Sequence, residues 1–243
     1  MIPRFSPVAG VGEITRFGLN SIFRKRDNPE TINTFERSFA SWQETEEAVF
    51  VQSGRMGLYL ILRALGYPAG SEIVVPAFTY FAIPAIISYA GLVPKYADID
   101  PATAAINEET VSKVLTDKTR AILPTHLFGR TCEIEPLAKL ADGRGLDIIE
   151  DCAQATGARQ GDTRVGNRGI ASYFTFGITK NFTTFSGGMI TTCNPELARS
   201  IRAHMDFSLI NRGKLISEAT TAMAMVAATR RPVFSSTLAP VIK

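Results

Sequence analysis

Three short segments carry residues whose types and spacing could do chemistry. Ser53-Gly54-Arg55 joins a predicted strand to a predicted helix, and the exposed N–H groups at a helix start suit a phosphate. Asp151 ends an apolar strand and could pair with a cationic ligand nitrogen. Lys180 follows a later strand, and a partly desolvated lysine amine attacks carbonyl groups. Each segment also has an ordinary explanation: an N-cap serine, a surface or capping acid, and a solvated lysine.

The three segments indicate more together than separately. A phosphate cradle, a strand-end carboxylate and a secluded lysine are the parts that a pyridoxal phosphate site needs. The lysine would form a Schiff base with the cofactor, and the carboxylate would pair with its pyridine nitrogen. Tyr80, just after the second predicted strand, could offer an aromatic face to the cofactor ring, or it could pack in the core with Phe78 and Phe81.

The elements that must position these residues alternate along the chain from residue 48 onward. Apolar runs predict strands over Ala48–Gln52, Glu72–Pro76, Val93–Asp98, Arg120–Pro124, Asp147–Asp151, Ser172–Phe176 and Gly188–Thr192. Helical spacing predicts helices over Gly54–Leu65, Phe81–Tyr89 (with Pro84 in the first turn), Asn107–Leu115, Ile134–Asp142 and Pro195–His204. This order predicts an α/β fold with a mostly parallel sheet sandwiched by helices, and ligands bound beyond the carboxyl ends of the strands.

Seven stretches of the sequence resemble one family, in that family's order, between residues 48 and 202. They are SGRMGLYLILRALG, GSEIVVPAFTYFA, GLVPKYADIDPAT, KTRAILPTHLFG, DIIEDCAQATGA, VGNRGIASYFTFGITKNFTTFSGGMITT and ELARSIR. These motifs are similar to those of the DegT/DnrJ/EryC1/StrS sugar aminotransferases. The resemblance implies the large domain of a fold-type-I pyridoxal-phosphate-dependent transferase. It also implies a homodimer.

The resemblance assigns roles to individual residues of this sequence. Lys180 matches the Schiff-base lysine, and Asp151 matches the partner of the pyridinium nitrogen. The implied cofactor-binding residues are, in addition to these two, Gly54 and Arg55 at the phosphate-binding helix start, Thr175 near the phosphate, Gln154 near the phenolic oxygen and Tyr80 as the stacking aromatic. His126 matches a family histidine near the site, to which no chemistry is assigned.

Two positions depart from the family pattern, and the C-terminal part of the chain does as well. Arg55 stands where many members have threonine, and a serine, Ser186, replaces the acid of the usual Gly-Glu-Gly-Gly. Members continue into a smaller C-terminal domain that closes on the substrate. We therefore expect an N-terminal arm over residues 1–30, a cofactor-binding large domain over 31–211, and a truncated or atypical start of a C-terminal region over 212–243.

The family reaction would move an amino group from a donor such as glutamate to a nucleotide-linked keto-sugar, for a polysaccharide or a natural product. Lys180 favours this reaction over that of the related dehydratases, which carry histidine there. A dehydratase and a non-catalytic protein that keeps the fold, such as a regulatory protein or an inactive fragment, remain alternatives. A nucleotide-binding oxidoreductase is disfavoured because no Gly-x-Gly-x-x-Gly follows the first strand.

Composition limits the other classes of function. The chain has 243 residues and a formal net charge of +3, too small an excess to predict nucleic-acid or membrane-surface binding. Three cysteines and two histidines predict neither a disulfide scaffold nor a metal centre. The sequence shows no secretory pattern, and the longest small-apolar run, Ala219–Ala228, is too short for a membrane helix. We expect a cytoplasmic protein with reduced thiols.

Overall fold

A computed structural model describes residues 29–177 and 179–205, together with Gly12, Thr221 and Ala224. The helices are α1 (Pro29–Gln43), α2 (Gly54–Leu65), α3 (Ala82–Tyr89), α4 (Glu108–Ser112), α5 (Ile134–Asp142) and α6 (Pro195–Ala203). The strands are β1 (Glu47–Val51), β2 (Glu72–Pro76), β3 (Val93–Ala97), β4 (Thr119–Ile122), β5 (Asp147–Asp151), β6 (Arg159–Gln160), β7 (Thr163–Arg164), β8 (Ala171–Thr175) and β9 (Gly188–Thr192). The predicted N-terminal arm and C-terminal region lie almost wholly outside the described residues.

Seven of the strands form one sheet in the order β1-β9-β8-β5-β4-β2-β3. The pairs β2·β3, β2·β4, β4·β5 and β5·β8 are parallel, whereas β9 runs antiparallel to both β8 and β1. A separate two-stranded hairpin, β6·β7, lies between β5 and β8 in the chain. The predicted α/β fold with a mostly parallel sheet is therefore confirmed.

Helices cover both faces of the sheet, as the near-continuous apolar strands require. One face packs against α2, α3 and α6 through a core that includes Leu58, Ile83 and Ile201. On the other face, α4 and α5 bury residues such as Leu137, and α1 buries Phe39. None of the helices in the described part of the chain is long and apolar enough to cross a membrane.

The predicted elements agree with the structure to within a few residues, with one helix too long. The helix expected over Asn107–Leu115 spans only Glu108–Ser112. Asn107 caps its start reciprocally with Thr110, but the N–H of Val114 bonds to the carbonyl of Val111, which tightens the chain out of the α-helix. Helix α1 and the β6·β7 hairpin were not expected from the sequence.

Candidate active site

A cavity of about 450 Å³ opens at the carboxyl ends of β1, β5 and β8, beside the start of α2. This is the edge of the sheet where the alternating pattern placed a ligand. All seven residues expected to contact a cofactor line this one cavity: Gly54, Arg55, Tyr80, Asp151, Gln154, Thr175 and Lys180. They come from five separate segments of the chain, and only the fold brings them together.

The start of α2 forms one wall of the cavity. Ser53 is the N-cap, and its Oγ accepts the N–H of Met56 at 3.2 Å. The ordinary explanation of this serine is therefore correct, and it is compatible with a ligand because no described residue accepts the N–H of Arg55. A Cβ on Gly54 would lie 3.1 Å from the Cβ of Thr175, so glycine lets the helix start lie directly against β8.

Asp151 is buried at the end of β5, which excludes the surface-acid explanation. Its Oδ1 accepts the N–H of Ala153 at 2.9 Å. Burial raises the pKa of the Asp151 carboxyl, and the Ala153 N–H, Tyr173, His126 and Lys180 offset that rise only in part. A buried carboxyl in this state gains from a cationic ligand, which would hold it ionised.

Lys180 is half-buried at the cavity rather than fully solvated. Burial lowers the pKa of its amine, and the nearby Asp151 charge opposes that shift in part. Two hydrogen bonds fix the segment that carries Lys180. Its own N–H bonds to the Gly177 carbonyl at 2.9 Å, and Asn181 Nδ2 donates to the Thr156 carbonyl at 2.7 Å. A lowered amine pKa enlarges the neutral, nucleophilic fraction of a lysine near neutral pH.

Tyr80 and Gln154 also line the cavity. Tyr80 is 50% exposed, and its exposed neighbours Phe78 and Phe81 show that it is not part of a core cluster. The core-packing explanation of Tyr80 is therefore wrong. Gln154 Oε1 accepts the N–H of Phe128 at 3.3 Å, which holds the amide beside the cavity.

Two buried hydroxyl groups at the cavity were not expected from the sequence. Thr125 Oγ1 and Tyr173 Oη are buried and lie on residues that line the cavity, yet neither has a hydrogen-bond partner among the described residues. Both residues belong to apolar stretches that indicate core packing, so the sequence carries no signal for them. Buried polar atoms without a partner are rare in folded proteins, so each of these hydroxyls needs a partner, which a ligand or a neighbouring side chain could supply.

His126 lies behind the cavity in a buried hydrogen-bonded pair with Glu150. Its Nδ1 accepts the N–H of Cys132 at 3.0 Å, and this leaves Nε2 to donate to Glu150 Oε2 at 3.1 Å. One ligand atom each from His126, Glu150 and Cys152 lies within 4.8 Å of the other two. Such a group of three residues could hold a metal ion. Because both Glu150 oxygens already accept hydrogen bonds, the geometry supports a structural pair better than a metal centre.

Comparisons with known proteins match most of the chain to one family. The family model of the DegT/DnrJ/EryC1/StrS aminotransferase family matches residues 24–225. GDP-perosamine synthase of Caulobacter vibrioides is 36% identical over 171 residues, which are 70% of this chain and 46% of that protein. A pleiotropic regulatory protein of Geobacillus stearothermophilus is 37% identical over 177 residues, which are 71% of this chain and 48% of that protein.

A solved structure gives the same result at the level of the fold. DesV of S. venezuelae, in complex with a ketimine intermediate, has a TM-score of 0.72 at 34% identity, and the match covers 90% of this chain and 61% of that one. The chain spans about half the length of the curated relatives it matches. Because the family model matches most of the sequence, the chain belongs to the DegT/DnrJ/EryC1/StrS aminotransferase family.

Proposed function

We propose that this chain carries the cofactor site of a pyridoxal-phosphate-dependent aminotransferase that acts on a nucleotide-linked keto-sugar. One observation carries the proposal: a single cavity brings together the buried Asp151 carboxyl, the half-buried Lys180 amine and the Arg55 N–H, which no described residue accepts. These groups match the three polar ends of pyridoxal phosphate, which are its ring nitrogen, its carbonyl and its phosphate.

The residues present fit this cofactor on two further structural grounds. Thr125 lines the cavity, and its buried hydroxyl has no hydrogen-bond partner among the described residues, so the site holds a polar group that a ligand can satisfy. A Cβ on Gly188 would lie 2.4 Å from the Phe174 carbonyl and 2.8 Å from the Gly54 nitrogen, so a side chain there would push into the helix start. The position of the helix start, where the phosphate would bind, therefore depends on Gly188.

In addition to Gly54 at the helix start and Lys180, five residues would hold the cofactor in this site. The Arg55 N–H and guanidinium, with the Thr175 hydroxyl, would bind the phosphate, and no described acid pairs with Arg55. Asp151 would bind the ring nitrogen, and Tyr80 would offer its face to the ring. Gln154 would place its amide near the phenolic oxygen.

Lys180 would carry two tasks. Its neutral amine would attach the cofactor covalently, and once displaced by the amino donor the same amine would accept and return the proton at the substrate carbon. When bound, pyridoxal phosphate supplies an electron sink for that carbanion chemistry. Asp151 would hold the ring nitrogen protonated, and this strengthens the sink.

The substrate class is proposed from the relatives. The C. vibrioides relative is named for a GDP-linked amino sugar, which supports a nucleotide-linked keto-sugar as the amino acceptor. We propose glutamate as the amino donor, a homodimer as the assembly and the cytoplasm as the location. The large domain over residues 31–211 would hold the cofactor, and residues 212–243 would begin a C-terminal region.

The test is spectroscopic and uses the 243-residue chain. Adding pyridoxal phosphate should give the visible absorption band of covalently bound cofactor, and adding glutamate should bleach it. Lys180→Ala should lose the band, whereas Lys139→Ala, which removes an exposed lysine on α5, should keep it. An equal band in the wild type and Lys180→Ala would refute the assignment of Lys180.

A second candidate is a regulatory protein that keeps the fold without amino transfer. It is favoured by one relative's name, the pleiotropic regulatory protein of G. stearothermophilus. The same experiment separates the two functions, because a regulatory protein need not respond to glutamate. A cofactor band that glutamate leaves unchanged, in the presence of a keto-sugar nucleotide as well, would favour this second function.

A further inference from the structure

Tyr173 occupies the floor of the cavity, directly beside Asp151. The two residues are register partners on the adjacent parallel strands β8 and β5, so their side chains leave the same face of the sheet. The Tyr173 ring lies beneath the first turn of α2. A Cβ on Gly54 would come within 3.5 Å of Tyr173 Cδ2, and a Cβ on Gly57 within 3.4 Å of Tyr173 Cβ. The two glycines of α2 therefore leave room for this ring.

No described residue makes a hydrogen bond of ordinary geometry with the Tyr173 hydroxyl, although the residue is only 1% exposed, and Asp151 is the acceptor that acts on it. Burial raises the pKa of this hydroxyl well above its ordinary value. Asp151 raises it further, first through its negative charge and then as a hydrogen-bond acceptor that favours the protonated hydroxyl. The hydroxyl therefore keeps its proton and is a hydrogen-bond donor. Asp151 is the acceptor beside it, and Ala153 supplies the one N–H that the described residues donate to that carboxyl.

We propose that Tyr173 is a positioning residue, whose hydroxyl donates a hydrogen bond to the Asp151 carboxylate and keeps it charged toward a cationic ring nitrogen in the cavity. The inference rests on the proposed function for the identity of that ring. The proposed hydrogen bond joins two residues of this chain, so it can be tested without the cofactor. A hydrogen bond to a charged acceptor is stronger than one between neutral groups, so ionising Asp151 favours the contact.

The other titratable groups around Asp151 act on it differently. His126 follows β4, but its two ring nitrogens already pair with Glu150 and the Cys132 N–H. Lys180 would be consumed by its bond to the cofactor. The buried Cys152 thiol keeps its proton, because burial raises its pKa well above the ordinary value. Tyr173, in contrast, is buried, lies on the same face of the sheet as Asp151 and has a hydroxyl proton that no other described residue accepts.

The first test measures Asp151 without any cofactor. The chain is labelled with ¹³C at the aspartate side-chain carboxyl, Asp151→Asn identifies the signal, and its pH titration is followed by NMR. Tyr173→Phe should raise the pKa of Asp151 by about one unit, since it removes a donor to the ionised form. Tyr67→Phe is the matched control, because Tyr67 donates to Asp147 at the opposite end of β5. An Asp151 titration that is the same in Tyr173→Phe and the wild type would overturn the proposal.

A second measurement keeps the proposal testable if Tyr173→Phe does not fold. The ¹³Cζ signal of Tyr173 reports the hydrogen bonding of its hydroxyl in the otherwise unchanged chain. It should move as Asp151 ionises in the wild type and should not move over that pH range in Asp151→Asn. A signal that is independent of Asp151 would overturn the proposal.

The cofactor enters only in the last test. The dissociation constant of pyridoxal phosphate is measured against pH for the wild type and Tyr173→Phe. A one-unit shift predicts binding about tenfold weaker in the variant at the acidic end, and the two curves should converge as pH rises past the Asp151 pKa. A ratio that does not vary with pH would indicate a packing defect and would overturn the proposal. Failure of the wild type to bind the cofactor would refute the proposed function, while the NMR result would still decide the role of Tyr173.

Discussion

Replacing Glu150 by glutamine should destabilise the protein although it changes the side-chain volume very little. Glu150 Oε1 accepts the N–H groups of Arg168 at 2.8 Å and Gly169 at 3.0 Å. Its Oε2 accepts the N–H of Gly166 at 2.8 Å and pairs with His126 Nε2 at 3.1 Å. Each oxygen therefore faces two donors. Glutamine turns one of these oxygens into an NH₂ group, which is itself a donor.

The magnitude follows from the number of donors left without an acceptor. In either orientation of the glutamine amide, two N–H groups face the NH₂ group: those of Gly166 and His126, whose bonds are buried, or those of Arg168 and Gly169, whose bonds are partly buried and whose loss costs less. Reversing the His126 tautomer does not help, because its Nδ1 must accept the Cys132 N–H. An unsatisfied buried donor costs about 1–3 kcal/mol, so Glu150→Gln should lower the free energy of unfolding by about 2–6 kcal/mol. That is a large part of the roughly 5–15 kcal/mol by which domains are stable.

Urea unfolding followed by fluorescence would measure this loss. Trp42 is the single tryptophan of the chain, and its ring lies 4.3 Å from the Arg164 guanidinium carbon, near the loop that Glu150 holds. Glu135→Gln is the matched control, because Glu135 pairs with the same loop residue, Arg168, but at the surface. An exposed pair contributes about 0–1 kcal/mol. Equal losses in the two variants would refute the reasoning.

The same pair also predicts a pH dependence. Burial alone would raise the pKa of the Glu150 carboxyl, but the hydrogen bond from His126 and the N–H groups of Gly166 and Arg168 outweigh burial and hold that pKa below its ordinary value. A lowered pKa stabilises the fold above the pKa of the unfolded chain, and this stabilisation is lost as the pH falls through the folded pKa. The gap in unfolding free energy between the wild type and Glu150→Gln should therefore narrow toward acid pH.

Three further predictions follow from single sites. Gly188→Ala should lower the free energy of unfolding by about 1–3 kcal/mol because its Cβ would meet the Phe174 carbonyl, whereas Gly177→Ala, with no atom within 4 Å, should stay near the wild type in the same urea assay. A thiol reagent should label the exposed Cys193 rapidly in the native chain and the buried Cys132 only on unfolding. Burial raises the pKa of Cys132 to about 12, which keeps its thiol protonated. Rapid labelling of the native Cys193→Ser variant would contradict this prediction. Arg55→Thr should weaken pyridoxal phosphate binding several-fold at low salt and less at high salt, and an equal loss at both salt levels would show that charge is not the cause.

The sequence predicts the parts of the site that are defined by local patterns. Strand ends followed by polar residues placed Asp151 and Lys180 at one edge of the sheet, and the structure brings both to the same cavity. Tyr173 and Thr125 were missed because each lies in an apolar stretch typical of core packing. What distinguishes them is a buried hydroxyl without a partner, which depends on how β4, β5 and β8 meet and not on any local pattern.

Helix α1 was missed for a different reason, because its signal was present in the sequence. Proline at the first position and the apolar pair Phe35 and Phe39, four residues apart, are typical of an amphipathic helix. None of its residues lines the cavity, and the helix precedes the alternating pattern of strands and helices from which the fold is predicted. In the structure it covers the sheet through aromatic contacts, such as that of Phe39 with Phe174 at 5.3 Å between ring centroids.

The direction of β9 could not be predicted, and it follows from the path of the chain through the site. A fully buried strand has the same apolar pattern in either direction. A strand parallel to β8 would need a connection that crosses back to the opposite edge of the sheet. The segment after β8 instead leaves the sheet and returns to it at the edge that holds the cavity. The next strand, β9, therefore runs antiparallel to β8. The Phe176 N–H bonds to the Gly187 carbonyl at 2.9 Å and the Thr184 N–H to the Phe176 carbonyl at 3.1 Å, which ties both ends of this connection together. The position of Lys180 is therefore set by the pairing of β8 with β9, and a shift in that register would move the amine away from Asp151.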